Sequence, residues 1–403
     1  MAALGAYHCV TPPNRHIQAR RISSRLTQST VRLAPQTFAS SRKARPIKRQ
    51  CAVRCEKSNG SSQEASVTCL GEALFDCLAE ERGVPKEEVK TWIPYPGGAP
   101  ANVAAALGRL GVKVSFISAV GQDHLGESML ELLSTRHVDL APIQRVPQPT
   151  RDVLVTRDEN GEREFSGFGA AKNNEYADCF IDGEKMPEAT IKNSVALVTG
   201  TLGLSFPQTA AAMRKAVACA RSGPCSVLVD INWRPVFWES LTPQAVDIVS
   251  EYAGGADILK LSEEEAEWLY GVHSVQAMTN PDLVLNAVPE TVQGVLVTAG
   301  GHGAAYCFRS ANGGPLIKGF VPILQVKVSD TTGAGDAFLS GFLYSMVKAG
   351  GLSTFQSDPE KLRSAVEFAA ACGAFTCSKP GAIAAQPTLE EARELMKTAK
   401  AAV

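Results

Sequence analysis

Chemistry is easiest to build in the run Ser329-Asp330-Thr331-Thr332-Gly333-Ala334-Gly335-Asp336-Ala337-Phe338. Its small residues let the backbone turn tightly ahead of an apolar stretch with helical spacing. The amides of Gly333, Ala334, Gly335 and Asp336 can then point at one anion, and the dipole of the following helix adds partial positive charge. Asp336 falls on the first helical turn. A carboxylate there can cap the helix. It can also serve as a general base beside an anion hole, the arrangement that phosphoryl transfer to a hydroxyl requires. A second candidate is Gly97-Gly98-Ala99-Pro100-Ala101-Asn102-Val103-Ala104. Two glycines at a helix start admit a ligand close to the backbone, and Asn102 offers both a donor and an acceptor. The plainer reading is a tight loop with Asn102 as N-cap.

Other chemistries lack their residues. There is no Gly-x4-Gly-Lys-Ser/Thr phosphate loop, no Gly-x-Ser-x-Gly elbow, no His-Glu-x-x-His, and no Gly-x-Gly-x-x-Gly after a strand. The six His are dispersed. Of the eleven Cys, eight follow residue 56, and none forms Cys-x-x-Cys or a zinc-spaced set. They read as small buried hydrophobes, with a redox pair at Cys372 and Cys377 as the alternative.

The elements that must position these residues alternate. Strands are expected at Val67–Phe75, Val112–Ala119, Val195–Thr199, Ser226–Ile231, Asp257–Leu261 and Gln293–Thr298. Helices are expected near Asn102–Leu110, Gly126–Arg136, Pro207–Arg221, Pro243–Tyr252 and Glu263–Leu269. Three more follow at Gly335–Lys348, Glu360–Cys377 and Thr388–Thr398. The strands are continuous apolar runs, as parallel strands covered on both faces should be. The pattern predicts an α/β fold with a doubly wound, mostly parallel sheet. One hairpin breaks the rhythm: Asp152–Thr156 and Arg163–Phe168 flank an Asn160-Gly161 turn, which suggests a small β-flap lid over a site.

Composition separates a leader from a body. Eleven of the 40 Lys and Arg lie in residues 1–55 and none of the 41 Asp and Glu, so the remainder carries 29 basic against 41 acidic residues. The Arg- and Ser-rich, acid-free leader has the make-up of an organelle transit peptide. The alternative is a basic nucleic-acid arm around Arg42, Lys43, Arg45, Lys48 and Arg49. Ala52-Val53-Arg54-Cys55 resembles a plastid processing site, so the chloroplast stroma is expected, with the mitochondrion as alternative. An acidic body argues against direct nucleic-acid binding. No run of about 18 apolar residues suggests a membrane span, and no repeat or heptad pattern stands out.

Taken together, Gly97–Ala104 and Asp330–Phe338 resemble the N- and C-terminal signatures of the ribokinase/PfkB carbohydrate kinase family. Gly71-Glu72-Ala73-Leu74-Phe75-Asp76, Asp230-Ile231-Asn232-Trp233-Arg234-Pro235, Lys260-Leu261-Ser262-Glu263-Glu264-Glu265 and Lys379-Pro380-Gly381-Ala382-Ile383 are similar to fructokinase segments in the same order. The likeness spans about residues 67–390, placing one ribokinase-like kinase domain over 67–400 with flap segments near 150–170.

That resemblance implies ATP-dependent phosphorylation of a sugar hydroxyl, fructose first among acceptors. It makes Asp336 the base and Gly333, Ala334 and Gly335 the anion-hole amides. Asp76, Gly97, Gly98, Asn102 and Arg234 would meet the sugar. Thr298, Gly300, Gly301 and Gly303, with Ser262 and Glu265, would meet the nucleotide. Glu265 would help order Mg²⁺ through water; Asp330 and Thr332, with the Gly381 loop, would bind a monovalent cation such as K⁺. The plainer readings are helix-dipole complementation for the neighbouring Glu263 and Glu264 and a glycine-rich strand connection for 298–303. The sequence departs from fructokinases at Ala370, at Ala384 and across Phe168–Asp178, where an Arg-Asn-Pro-Ser-Ala-Asp run is common. Two further readings stay open: a kinase-like scaffold in a plastid protein complex, and a kinase for ribose, a nucleoside or a keto-deoxy sugar acid. For an acid acceptor, Arg234 and Arg151 are the candidate partners. A homodimer through flap edges is a further option.

Overall fold

The computed structural model describes residues 66–401 except 160–162 and 239–242. The transit-peptide and processing-site expectations, and the Asn160-Gly161 turn, lie outside the described residues.

The strands are β1 Ser66–Leu70, β2 Leu74–Ala79, β3 Trp92–Gly97, β4 Lys113–Gly121, β5 Val138–Asp139, β6 Ile143–Val146, β7 Arg151–Arg157, β8 Arg163–Phe168, β9 Ala196–Thr199, β10 Ser226–Asp230, β11 Ile258–Ser262, β12 Gly294–Thr298, β13 Ala304–Phe308 and β14 Ile317–Val321. The central sheet runs β14-β13-β12-β11-β10-β9-β1-β4-β5, with β6 also on β4. Every pairing from β12 to β5 is parallel. Only β13 and β14 run antiparallel, at one edge.

Alternate residues of each central strand feed two cores. Val67, Cys69, Phe116, Val198, Leu228 and Ile258 pack with helices Ala99–Arg109, Ala334–Ala349 and Pro359–Cys377. Leu70, Ile117, Leu197, Val229 and Leu259 pack on the other face with helices Pro207–Arg221, Pro243–Ala253 and Glu263–Tyr270. Burial on both faces explains the unbroken apolar runs in the sequence. The doubly wound α/β expectation describes this sheet.

The second sheet differs from the expectation. The Val67–Phe75 stretch is not one strand: the chain leaves β1 at Gly71 and restarts at Leu74 as β2, which belongs to a separate four-stranded sheet, β3-β2-β7-β8. The two-stranded flap near 150–170 is therefore half of a larger layer, and its other half comes from residues 74–97. Two prolines, Pro94 and Pro96, hide β3 from propensity. They are tolerated because β3 is an edge strand. Asp76 accordingly sits inside β2 of this second sheet and does not end a strand of the central one.

Candidate active site

Two helix starts meet beside the second sheet. Helix Ala99–Arg109 begins after Gly98, whose φ of 97° and whose approach to Glu72 leave no room for a side chain: a Cβ would lie 2.6 Å from the Glu72 carbonyl oxygen. Helix Ala334–Ala349 begins after Gly333, with φ 75°, where a Cβ would lie 2.7 Å from that of Ala382. Glycine is the residue that fits both conformations. Neither polar candidate caps its helix. Asn102 lies past the first turn, its own amide bonded to the Gly98 carbonyl at 2.8 Å. Asp336 lies on the first turn after Gly333, which itself makes no side-chain cap bond.

Asn102 and Asp336 are joined instead to each other. Asn102 Nδ2 donates to Asp336 Oδ2 at 2.8 Å, although 234 positions separate them. The main-chain oxygen of Asn102 accepts from Gln386 Nε2 at 2.8 Å, which fixes the helix in place. Asn102 Oδ1 is buried and has no hydrogen-bond partner among the described residues. A buried amide oxygen without a donor is costly, so it marks a position suited to a ligand hydroxyl.

Burial pushes the pKa of Asp336 up to about 6, and the Asp230 carboxylate adds to the rise. The Asn102 amide, Lys260 and Arg234 pull it partly back. Behind the turn, Lys260 Nζ donates to both carboxylate oxygens of Asp230 at 2.9 Å, and both side chains are buried. A Cβ on Gly335 would stand 3.4 Å from that ammonium. Burial alone would lower the Lys260 pKa; Asp230 more than offsets this and raises it. A charged ammonium thus lies close to the helix start at Gly335.

The second sheet contributes Asp76, half-buried on β2 and facing Gly97, where a Cβ would be 3.3 Å from Asp76 Oδ2. Burial raises the pKa of Asp76, and the charges of Arg163 and Arg234 oppose the rise. Arg234 lies in the loop after β10. That loop is steadied by Trp233, whose ring stacks on Trp268 at 4.2 Å and Trp238 at 5.3 Å, and whose amide donates to Glu265 Oε1 at 2.6 Å. The Arg234 side chain is exposed, and its charge acts on both Asp76 and Asp336.

Glu265 is committed locally. With Ser262 it forms a reciprocal cap on helix Glu263–Tyr270: its Oε2 accepts from the Ser262 amide at 2.8 Å, and Ser262 Oγ accepts from the Glu265 amide at 3.1 Å. Its second oxygen takes the Trp233 amide. Among the described residues no group of three or more His, Cys, Asp or Glu is placed to hold a metal ion. Thr298 ends β12, and Gly300, Gly301 and Gly303 form the turn into β13 at the carboxyl edge of the sheet. That edge is where open α/β sheets place ligands.

Asp330 is held still more fully. Its Oδ1 accepts from the Thr332 amide at 3.0 Å and the Thr332 hydroxyl at 2.6 Å. Its Oδ2 accepts from the Gly381 amide at 3.0 Å and from Arg163 at 3.4 Å. Burial works against its charge, but these donors hold its pKa below the ordinary carboxylate range. Four donors match the capacity of a carboxylate, so a monovalent cation here has to share or displace one of them.

Arg151 is not a substrate residue. It is fully buried, with Nε and Nη2 on the two oxygens of Asp178 at 2.7 and 2.8 Å and Nη1 on Asn173 Oδ1 at 2.9 Å. The rings of Tyr176, Phe206, Phe237 and Phe168 surround the guanidinium at 4.7–5.4 Å. The segment Phe168–Asp178, where the sequence departs from fructokinases, is the wall of this cage. Four groups with no role assigned from sequence join the site: Arg163, Lys260, Asp230 and Glu72. Lys260 carried a signal, a lone charge inside an apolar strand.

Such an arrangement, a mostly parallel α/β sheet with a carboxylate beside helix-start amides under a second sheet, defines a phosphotransferase of the ribokinase-like class. The chain belongs to the pfkB family of carbohydrate kinases, whose pattern matches residues 64–389. It is similar to "Fructokinase-1" of Oryza sativa subsp. japonica, 34% identical over 334 residues, covering 83% of this chain and 98% of the relative. It is equally similar to the Arabidopsis thaliana protein named "Probable fructokinase-6, chloroplastic", 34% identical over 351 residues and 85% of each chain. Among solved structures, the fructokinase of Xylella fastidiosa with bound ATP superposes with a TM-score of 0.72 at 28% identity, over 84% of this chain and 99% of that one. The fructokinase of Vibrio cholerae O395 in its fructose, ADP and calcium ion bound form gives 0.68 at 27% identity, over 83% and 99%. The chain is a sugar kinase.

Proposed function

We propose that this kinase transfers the γ-phosphoryl group of ATP to a hydroxyl of fructose, giving fructose 6-phosphate and ADP. The observation that carries the reading is the Asn102–Asp336 bond at 2.8 Å, set against the amides of residues 333–336. The free Oδ1 of Asn102 and the carboxylate of Asp76 would accept from sugar hydroxyls, with Gly97 and Gly98 allowing the sugar close. The attacking hydroxyl gives its proton to Asp336 as its oxygen bonds to phosphorus and the bond to the ADP oxygen breaks. The Gly333 and Gly335 amides and the Lys260 ammonium behind them would meet the charge on the transferred group, and the Ala334 amide would join them by giving up the Thr331 carbonyl it bonds at 3.2 Å. Arg234, exposed and with Nη1 on the Trp233 carbonyl at 2.9 Å, would reach the sugar or its phosphate with its remaining donors.

The nucleotide would lie over the 298–303 turn. Mg²⁺ fits this site only as an ion brought in on the phosphates and its own waters, because both Glu265 oxygens accept main-chain amides. Bound so, it would neutralise phosphate charge, and Glu265 would act through water. Names of relatives support fructose and ATP as substrates, and one relative named as chloroplastic supports a plastid stromal site with residues 1–55 as transit peptide.

The test is ADP release by the full chain with ATP, Mg²⁺ and fructose, then ribose, a nucleoside and a keto-deoxy sugar acid, with Asp336→Ala alongside. Fructose-dependent release that falls about a thousandfold in the variant is expected, in keeping with loss of a central charge-stabilising and proton-accepting group. A folded, ATP-binding chain with no sugar-dependent release would sink the kinase-with-fructose reading.

A further inference from the structure

Arg163 projects from β8, an edge strand of the second sheet, onto the loop that precedes the anion-binding amides. Its Nη1 donates to Thr332 Oγ1 at 3.1 Å and its Nη2 to Asp330 Oδ2 at 3.4 Å. The contact spans 167 positions and ties the second sheet to the 330–336 turn. The same guanidinium acts electrostatically on Asp76, the acid on β2 that faces Gly97. It therefore stands between the carboxylate proposed for the sugar and the loop proposed for the phosphate.

We infer that Arg163 is a positioning residue that clasps the Asp330–Thr332 loop to the second sheet, so that seating of that sheet over the acceptor sets the amides of 333–336, and that its guanidinium supplies at Asp330 the positive charge otherwise expected of a monovalent cation. The inference rests on the sugar-kinase reading of the site.

Geometry supports both halves. Thr331 is exposed and Thr332 and Gly333 only half-buried, so the loop has little packing of its own to hold it. Asp330 ties it to Gly381 from one side and Arg163 from the other. Removing Arg163 would leave Asp330 Oδ2 with one donor, and the loop held only from the side of Gly381 and the Cys377 carbonyl. Arg163 is 46% exposed and Asp330 15%, so the pair adds little to global stability. Its effect falls on placement. A misplacement of reacting groups by about 1 Å costs as much as a hundredfold in rate.

The full chain carrying Arg163→Gln is compared with wild type and Arg163→Lys for kcat and KM, and for amide hydrogen exchange by residue range. The inference expects kcat to fall about tenfold or more in Arg163→Gln, with the melting temperature kept. Guanidinium ion added to the buffer should recover part of the loss. Turnover of Arg163→Gln should respond to replacing Na⁺ by K⁺ more than wild type does. Exchange at 330–335 should quicken while β1 and β4 stay protected. Unchanged kcat and unchanged exchange at 330–335 would overturn it. So would a loss of protection throughout the chain that neither Lys nor guanidinium repairs, since that assigns Arg163 a purely structural part. If wild type turned over no sugar, the proposed function would fall, while local exchange at 330–335 would still decide for or against the clasp.

Discussion

Asn102 Nδ2 holds Asp336 Oδ2 at 2.8 Å, joining the second turn of one helix to the first turn of another. The bond does two things at once: it aims the carboxylate and it favours the charged form. Burial has already pushed the Asp336 pKa up to about 6. A base must be deprotonated to accept a proton, so turnover should rise with pH through about 6 and level off above it. Deleting the amide in Asn102→Ala removes a donor to the charged form, which raises the Asp336 pKa further. The acid limb of the kcat profile should therefore move to higher pH in the variant. An acid limb that stays in place would show that Asp336 is not the group titrating.

Gly333→Ala tests the anion-hole turn. The residue must keep φ near 75° while its new methyl meets Ala382, so the helix start has to shift. Strain in the left-handed region costs about 1–2 kcal/mol. The larger effect should be catalytic, because the displaced amides are the ones proposed to meet the transferred phosphoryl group. Losing such a donor costs roughly 3–4 kcal/mol in the barrier. Steady-state kcat should thus fall by far more than urea denaturation of the same variant predicts. A proportionate loss of both would argue that the turn is only structural.

What the sequence revealed and what it hid follow one physical line. Gly97–Ala104 and Asp330–Phe338 were legible because each packs its backbone demands and its polar groups into ten residues or fewer. The sheet that carries Asp76 stays hidden because Val67–Phe75 reads as one strand, and its periodicity carries no mark of the jump from one sheet to another at Gly71. Arg151 was misjudged for a different reason. An arginine beginning a strand looks solvent-facing until Asp178, Asn173 and four aromatic rings converge on it from 17 to 86 positions away. Arg163 and Lys260 gain their meaning only from partners distant in the chain. The second sheet's β3 was missed because its prolines argue against a strand except at an edge.

Arg151 should behave as a stability residue. Its guanidinium and the Asp178 carboxylate are 0% and 2% exposed and form a buried ion pair at 2.7 Å. Arg151→Met leaves Asp178 buried without its partner, at a cost of about 3–5 kcal/mol. Urea unfolding should show that loss, while the folded fraction keeps the wild-type ranking of acceptors. A changed ranking, with a sugar acid losing most, would return Arg151 to the substrate pocket.

Glu72 supplies the last prediction. It lies between β1 and β2, 4% exposed, and its Oε1 accepts from the Ala99 amide at 3.0 Å where helix Ala99–Arg109 begins. Burial is the main reason its pKa rises to about 8, with Asp178 and Asp336 adding repulsion and its own amide and that of Ala99 opposing. The folded chain therefore binds a proton at Glu72 that the unfolded chain has released above the ordinary glutamate range. By linkage this contribution to stability is fully present below the unfolded pKa and is lost as pH rises through about 8. Glu72→Gln keeps an oxygen for the Ala99 amide and removes the titration. Urea midpoints should fall between acidic and mildly alkaline pH in wild type, and the fall should be smaller in the variant, which becomes the more stable of the two at the alkaline end. Parallel midpoint curves for the two proteins would mean that Glu72 is already ionised in the folded state, with the Ala99 amide outweighing burial.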